Sequence, residues 1–198
     1  MNRTSLIALA VAATLPTLAQ AADITLSFEG ATSFASIADF YSDLGVSFSD
    51  AALALSNDEL GPYFSHAPTP GTVMFASDSS AVMNVAAGFV DRLQFFYSAA
   101  NGGLDLVNIY SGLNGTGTLL ASVSLFGNAA LACSDAPFCR FDLTSVKFAG
   151  VAHSVSFGGD AGFVAYDNVS ITAVPEPSPL ALLLAGTSAL AFVVRRRS

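Results

Sequence analysis

Few residues in this sequence are of a type and spacing that could do chemistry. Cys133 and Cys139 enclose five residues, Ser-Asp-Ala-Pro-Phe, with Pro137 among them. That spacing suits a small closed loop, and in an oxidising compartment the pair is expected to close as a disulfide. A metal pair would need two further ligands, and no histidine lies beside the cysteines in the chain. The two histidines are His66, in a proline-rich run from Tyr63 to Gly71, and His153, at the start of a strand-like run. Neither belongs to a His-Glu-x-x-His helix, and the chain has no Gly-x-Ser-x-Gly elbow and no glycine loop for phosphate. A glycosidase needs two carboxylates flanking a cleft. Between residues 22 and 173 the only glutamates are Glu29 and Glu59, and no aspartate spacing singles out a pair. Asp58-Glu59 reads as a solvated turn. The expectation is a protein that is not an enzyme, with a polysaccharide-active enzyme as the alternative.

The elements expected to carry these residues are strands. Apolar and polar residues alternate over Ile24–Phe28, Val46–Phe48 and Ser154–Phe157, and more loosely over Leu104–Tyr110. Arg92–Tyr97 is nearly continuous and aromatic, as for a strand at the centre of a core. Asn101-Gly102-Gly103, the stretch from Asn114 to Gly117 and Gly158-Gly159-Asp160 read as turns. Residues 36–43 fit a short helix or a loop. The pattern predicts an all-β antiparallel sandwich, jelly-roll-like, of about eight to ten strands. Sixteen phenylalanines and no tryptophan suit a filled inter-sheet core, so most rings are expected to pack. Tyr41, Tyr63, Phe64 and Tyr110 are the aromatics most worth checking for exposure, because loop tyrosines can stack on sugars.

Both ends of the chain read as targeting segments. Arg3, the apolar run Leu6–Leu15 and Ala19-Gln20-Ala21 make a signal peptide over residues 1–21, cleaved after Ala21 or, alternatively, after Ala22. At the other end Val174-Pro175-Glu176-Pro177-Ser178-Pro179 is followed by fifteen uncharged residues, Leu180–Val194, and then Arg195, Arg196 and Arg197. Prolines at 175, 177 and 179 stop a strand. The apolar helix expected over 180–194 falls short of the roughly 20 residues of a comfortable transmembrane span. The arginines would remain cytoplasmic. The layout is therefore a signal peptide (1–21), a β-sandwich (22–173), a proline-rich linker (174–179), a hydrophobic helix (180–194) and a basic tail (195–198). The sandwich segment keeps three basic residues, Arg92, Arg140 and Lys147, against fourteen acidic ones, a net charge of −11. That surface excludes nucleic acid as a partner and leaves divalent cations and neutral glycans.

The order of Val-Pro-Glu-Pro, short apolar helix and arginine cluster over residues 174–198 resembles the PEP-CTERM sorting signal of Gram-negative bacteria. The resemblance implies an exosortase-type enzyme that recognises Pro175, Glu176 and Pro177. It also implies transient inner-membrane anchoring and delivery to the surface or extracellular matrix of a host that makes exopolysaccharide. The same tail occurs on some ice-binding proteins, but no Thr-x-Thr repeat runs through this chain, and that reading ranks last. The opening block, Ile24–Gly30 with Phe40–Phe48, and the closing block, Phe163–Ile171, are similar to the ends of galactose-binding-like and carbohydrate-binding jelly rolls. There the first and last strands lie together and acidic residues often hold a structural calcium. The resemblance nominates Glu29 and Asp167 as ligands, and Asn168 more weakly. Two carboxylates are compatible with calcium, which takes six to eight oxygens, without being diagnostic of it. The leading reading is an exported, non-catalytic glycan-associated or structural sandwich.

Overall fold

The computed structural model describes residues 22–100, 105–131, 133–158 and 163–174, together with Thr187. Ala21–Val174 form one compact unit. Its described residues form ten strands: β1 (Asp23–Leu26), β2 (Val46–Phe48), β3 (Ala52–Leu55), β4 (Val73–Ala76), β5 (Val82–Ala99), β6 (Asp105–Tyr110), β7 (Leu119–Leu125), β8 (Asp142–Lys147), β9 (Ala152–Phe157) and β10 (Val164–Ala173). Every pairing between these strands is antiparallel. The expected all-β antiparallel sandwich is therefore present. Among the described residues no helix is long and apolar enough to cross a membrane. The expected signal peptide, Pro175, Glu176, Pro177, the helix expected over 180–194 and Arg195, Arg196 and Arg197 lie outside the described residues, as does Ala21.

One strand makes the sandwich. The first part of β5 pairs with β2 on one edge and β9 on the other. Its second part pairs with β8 and β10 instead. Between the two, Gly88 (φ 81°) and Asp91 (φ 68°) sit in the left-handed region, and the ladder to β9 breaks register between Asn84 and Phe89. Such a bulge bends a strand and raises its twist. The sheet curls over itself, with β3–β4–β10 continuing on one side of β5 and β9–β6–β7 on the other.

Burial follows the two-residue period wherever a strand has one wet face. In β5, Leu93, Phe95 and Tyr97 are buried while Gln94 and Phe96 are half-exposed. Arg92–Tyr97 is central, as its composition suggests, but it alternates instead of burying both faces. Tyr166 on β10 anchors the core, with the rings of Phe157 and Phe95 edge-on at 4.9 and 5.7 Å. Each such pair adds about 0.5–1.5 kcal/mol beyond its buried area.

Within residues 36–43, Ser36 bridges Leu53 and residues 38–41 form turns, leading into a single 3-10 turn at Ser42–Leu44 that Gly45 ends in the left-handed conformation. Phe28 departs from the alternation of β1: it leaves the strand at φ 63° yet is fully buried. The first and last strands are neighbours, with Asp23 opposite Thr172 and Leu26 opposite Val169.

Candidate functional site

The β3–β4 loop, residues 56–72, gathers nearly every residue of chemical interest. Asn57 fixes its shape by standing in for a peptide group. Its Oδ1 accepts from the amides of Tyr63 and Phe64 at 2.8 and 3.1 Å, and its Nδ2 donates to the Phe64 carbonyl at 2.9 Å. Asp58 accepts from the Leu60 amide at 2.8 Å, the expected turn. Phe64, flagged by sequence as an aromatic to check for exposure, is buried with Leu55, Val73, Phe138 and Ala165 in a second, smaller core. There it forms a parallel bridge with Phe138, completed by Ser65 N to Phe138 O at 2.9 Å and Phe138 N to Tyr63 O at 3.1 Å. That bridge ties the loop to the one carrying both cysteines.

Glu29 and Asp167 hold the far end of the same loop. Asp167 is fully buried beside a register break in β10, where Asn168 takes φ 47°. Its Oδ1 accepts from Thr69 Oγ1 and the Asn168 amide, both at 2.7 Å, and its Oδ2 accepts from the Thr69 amide at 2.8 Å. Burial pushes its carboxyl above the ordinary carboxylate value. The bonds from Thr69 and Asn168 pull the other way, and the nearby Glu29 charge adds to the rise. Exposed Glu29 accepts from the Gly71 and Thr72 amides at 2.9 and 3.1 Å, both on Oε1. Tyr41, half-buried, accepts from the Phe28 amide at 2.5 Å and satisfies the strained residue before Glu29. Both amides on Glu29 sit on Oε1, so neither of these bonds engages Glu29 Oε2. Asn168 meets Asp167 through its backbone amide. The two carboxylates act as loop anchors.

Cys133 and Cys139 form the expected disulfide, with Cα atoms 5.7 Å apart. The absence of a histidine near them in sequence does not carry over to space. The Phe64–Phe138 bridge brings His66 alongside, its Nδ1 3.5 Å from Cys133 Sγ and 3.9 Å from Cys139 Sγ. His66 holds φ 56°, a conformation in which histidine is several-fold enriched over most side chains. His153, by contrast, is structural: its Nδ1 bonds the Ser111 carbonyl at 2.9 Å.

The third feature is an aromatic rim that sequence pattern only partly anticipates. Tyr63, half-exposed, packs edge-on against Phe34 with ring centroids 5.6 Å apart, and Phe34 meets Phe75 in the same way at 6.3 Å. Phe34 is 54% exposed and Leu60 87%. Desolvation, and then the adjacent Asp58 carboxylate, raise the Tyr63 phenol above its ordinary value, and its hydroxyl donates to Asp58 Oδ2 at 3.4 Å. Phe34 sits at φ 59°, and its amide is held by the Ala54 carbonyl at 2.7 Å. A left-handed phenylalanine costs roughly 1–2 kcal/mol, and such strain persists only where neighbours impose it. The signal that could have revealed Phe34 is its isolation in the polar run Thr32-Ser33-Phe34-Ala35-Ser36. Tyr110 is half-exposed on β6, at the far end of the molecule's strand order from β3.

No protein-family model matches the sequence, and no curated protein does either. Among solved structures, the K2 cleaved adhesin domain of Lys-gingipain overlays with a TM-score of 0.52 at 18% identity, over 76% of this chain and 99% of that one. A family 6 carbohydrate-binding module from Clostridium cellulolyticum, in complex with xylose, gives 0.41 at 15% identity, over 76% and 97%. The K3 cleaved adhesin domain of Lys-gingipain from Porphyromonas gingivalis gives 0.40 at 13%, over 77% and 100%. The first overlay shows a shared fold, the antiparallel sandwich.

Proposed function

We propose that this chain is an exported, non-catalytic surface or matrix protein whose sandwich associates with glycan through the rim formed by Phe34, Tyr63 and Asp58. The observation that carries the reading is Phe34: a strained, half-exposed ring braced edge-on by Tyr63. Ring faces of this kind stack on the apolar face of a sugar, and Asp58 beside Tyr63 supplies an acceptor for its hydroxyls. A net charge of −11 over residues 22–173 favours a neutral polysaccharide over an anionic one. Export and sorting rest on the sequence of the two ends: signal peptidase acts at Ala21, the short apolar segment holds the chain in the inner membrane transiently, and an exosortase-type enzyme acts at Pro175-Glu176-Pro177. The mature protein then resides at the cell surface or in the exopolysaccharide matrix of a Gram-negative host.

Affinity electrophoresis in the host's own exopolysaccharide tests the glycan reading. Phe34→Ala and Tyr63→Ala should each weaken retardation about tenfold, the equivalent of about 1.4 kcal/mol. Unchanged retardation in both variants would overturn the rim. Turnover of a glycan panel, abolished by one Asp or Glu substitution, would replace the non-catalytic reading with an enzymatic one. Intact-mass measurement of the protein recovered from its host tests sorting, because processing at Pro-Glu-Pro removes the residues of the arginine tail.

A further inference from the structure

His66, Cys133, Asp135 and Cys139 make a second site that the glycan reading does not use. One donor atom from each lies within 4.8 Å of the others, although His66 is 67 residues from Cys133 in the chain. Two sulfurs, an imidazole nitrogen and a carboxylate oxygen are the donor types that select zinc. The distances from nitrogen to sulfur are compatible with that metal. With Zn–S near 2.3 Å and Zn–N near 2.0–2.1 Å, a tetrahedron has N···S edges of about 3.6 Å, and His66 Nδ1 lies 3.5 and 3.9 Å from the two sulfurs. Asp135 Oδ2 lies 3.9 Å from Nε2, the other nitrogen of the same ring, and stays within the 4.8 Å group.

The surroundings suit a thiolate as well. Cys139 is fully buried, and its sulfur receives the Ser65 hydroxyl at 3.1 Å and the Asp135 amide at 3.4 Å. Donors of this kind orient a sulfur ligand and stabilise its negative charge. The neighbouring cation, Arg140, has its charge paired with Asp142 at 2.9 Å. The cleft over the disulfide, lined by His66, Leu131, Cys133, Cys139, Arg140 and Phe141, is open to solvent on the His66 side.

We infer that Cys133–Cys139 is a redox gate on a zinc site, closed as the disulfide and opened by reduction to a donor set of two thiolates, one imidazole and one carboxylate. A dithiol reductant passes two electrons to the bridge and itself closes to a disulfide, leaving Cys133 and Cys139 as thiols. Zinc then takes both sulfurs, displacing two protons, together with the His66 imidazole and the Asp135 carboxylate. The same loop junction is held covalently in one state and by the metal in the other.

Zinc uptake by the full chain, purified in mild detergent, is measured by competition with a chromophoric chelator before and after reduction by a phosphine, which does not hold zinc strongly. The reduced protein should bind one equivalent with a Kd tighter than about 1 μM, and the oxidised protein should bind at least about a hundredfold more weakly. Cobalt(II) should show thiolate charge-transfer and tetrahedral bands in the reduced protein alone. His66→Ala should weaken zinc at least tenfold. Its oxidised form keeps the disulfide, so its melting curve reports separately on folding. Equal zinc uptake by both redox forms, no uptake by a reduced protein that is still folded, or unaltered affinity in His66→Ala would each overturn the inference. A reduced chain that unfolds and is not refolded by zinc would overturn it too.

Discussion

Replacing Asp167 with alanine is expected to lower the melting temperature by about 6–12 °C, or about 3 kcal/mol for a domain of this size. The substitution removes the acceptor for the Thr69 amide, the Thr69 hydroxyl and the Asn168 amide in a position with no exposure. Buried donors left without a partner cost their full desolvation. The β3–β4 loop also loses its tie to the last strand, so the aromatic rim should loosen with it. Asp167→Asn keeps one acceptor oxygen and should lose less.

The two variants differ from the parent in pH dependence as well. Burial raises the Asp167 carboxyl in the folded state. Its protonation therefore favours the fold: that contribution is complete below the unfolded value of about 3.9 and is lost as pH rises through the raised native value. Thermal melts from neutral pH down to about pH 3 should show the parent gaining stability relative to Asp167→Asn as the medium becomes acid. Parallel curves, or an alanine variant that melts with the parent, would remove Asp167 from its anchoring role.

Gly88→Val is the second large effect, an expected loss of about 3 kcal/mol from left-handed strain plus overpacking. Gly88 has φ 81°, and a Cβ there would lie 2.5 Å from Val151 Cγ1 and 3.1 Å from the Ala152 carbonyl oxygen. The backbone of β9 cannot retreat without breaking the pairing of Phe89 with Ala152. Gly45 supplies the comparison: at φ 70° it has nothing within 4 Å of the same added atom. Gly45→Ala should therefore show strain alone, about 1 kcal/mol. Urea midpoints at constant m-value check both. Equal losses in the two variants would show that the close approach of β9 adds no cost at Gly88.

Strand character was readable wherever one face is wet and the other dry. Val46–Phe48, Ser154–Phe157 and the aromatic centre of β5 declare themselves by composition or alternation. β3, β4, β7 and β8 do not stand out, because Ala52–Leu55 and Val73–Ala76 are short and almost wholly apolar, while Leu119–Leu125 and Asp142–Lys147 pair at the periphery with weak burial contrast. Phe64 illustrates the limit for single residues. Its proline-rich neighbourhood reads as an open loop, yet pairing with Phe138 takes it into a core.

The cysteines give the same lesson in sharper form. Local spacing alone determines that Cys133 and Cys139 can meet, because a loop closed over five residues needs no help from the rest of the fold. The acidic balance of residues 22–173 and the all-β class are likewise written in composition and local order. Whether a histidine faces the sulfurs is a different kind of fact. It depends on a bridge between two loops far apart in the chain, and on a sandwich that closes only because β5 bends at Gly88 and carries its two halves into different layers. Tertiary structure alone decides it, since side chains distant in sequence acquire a common environment only when packing repays the entropy of bringing their loops together.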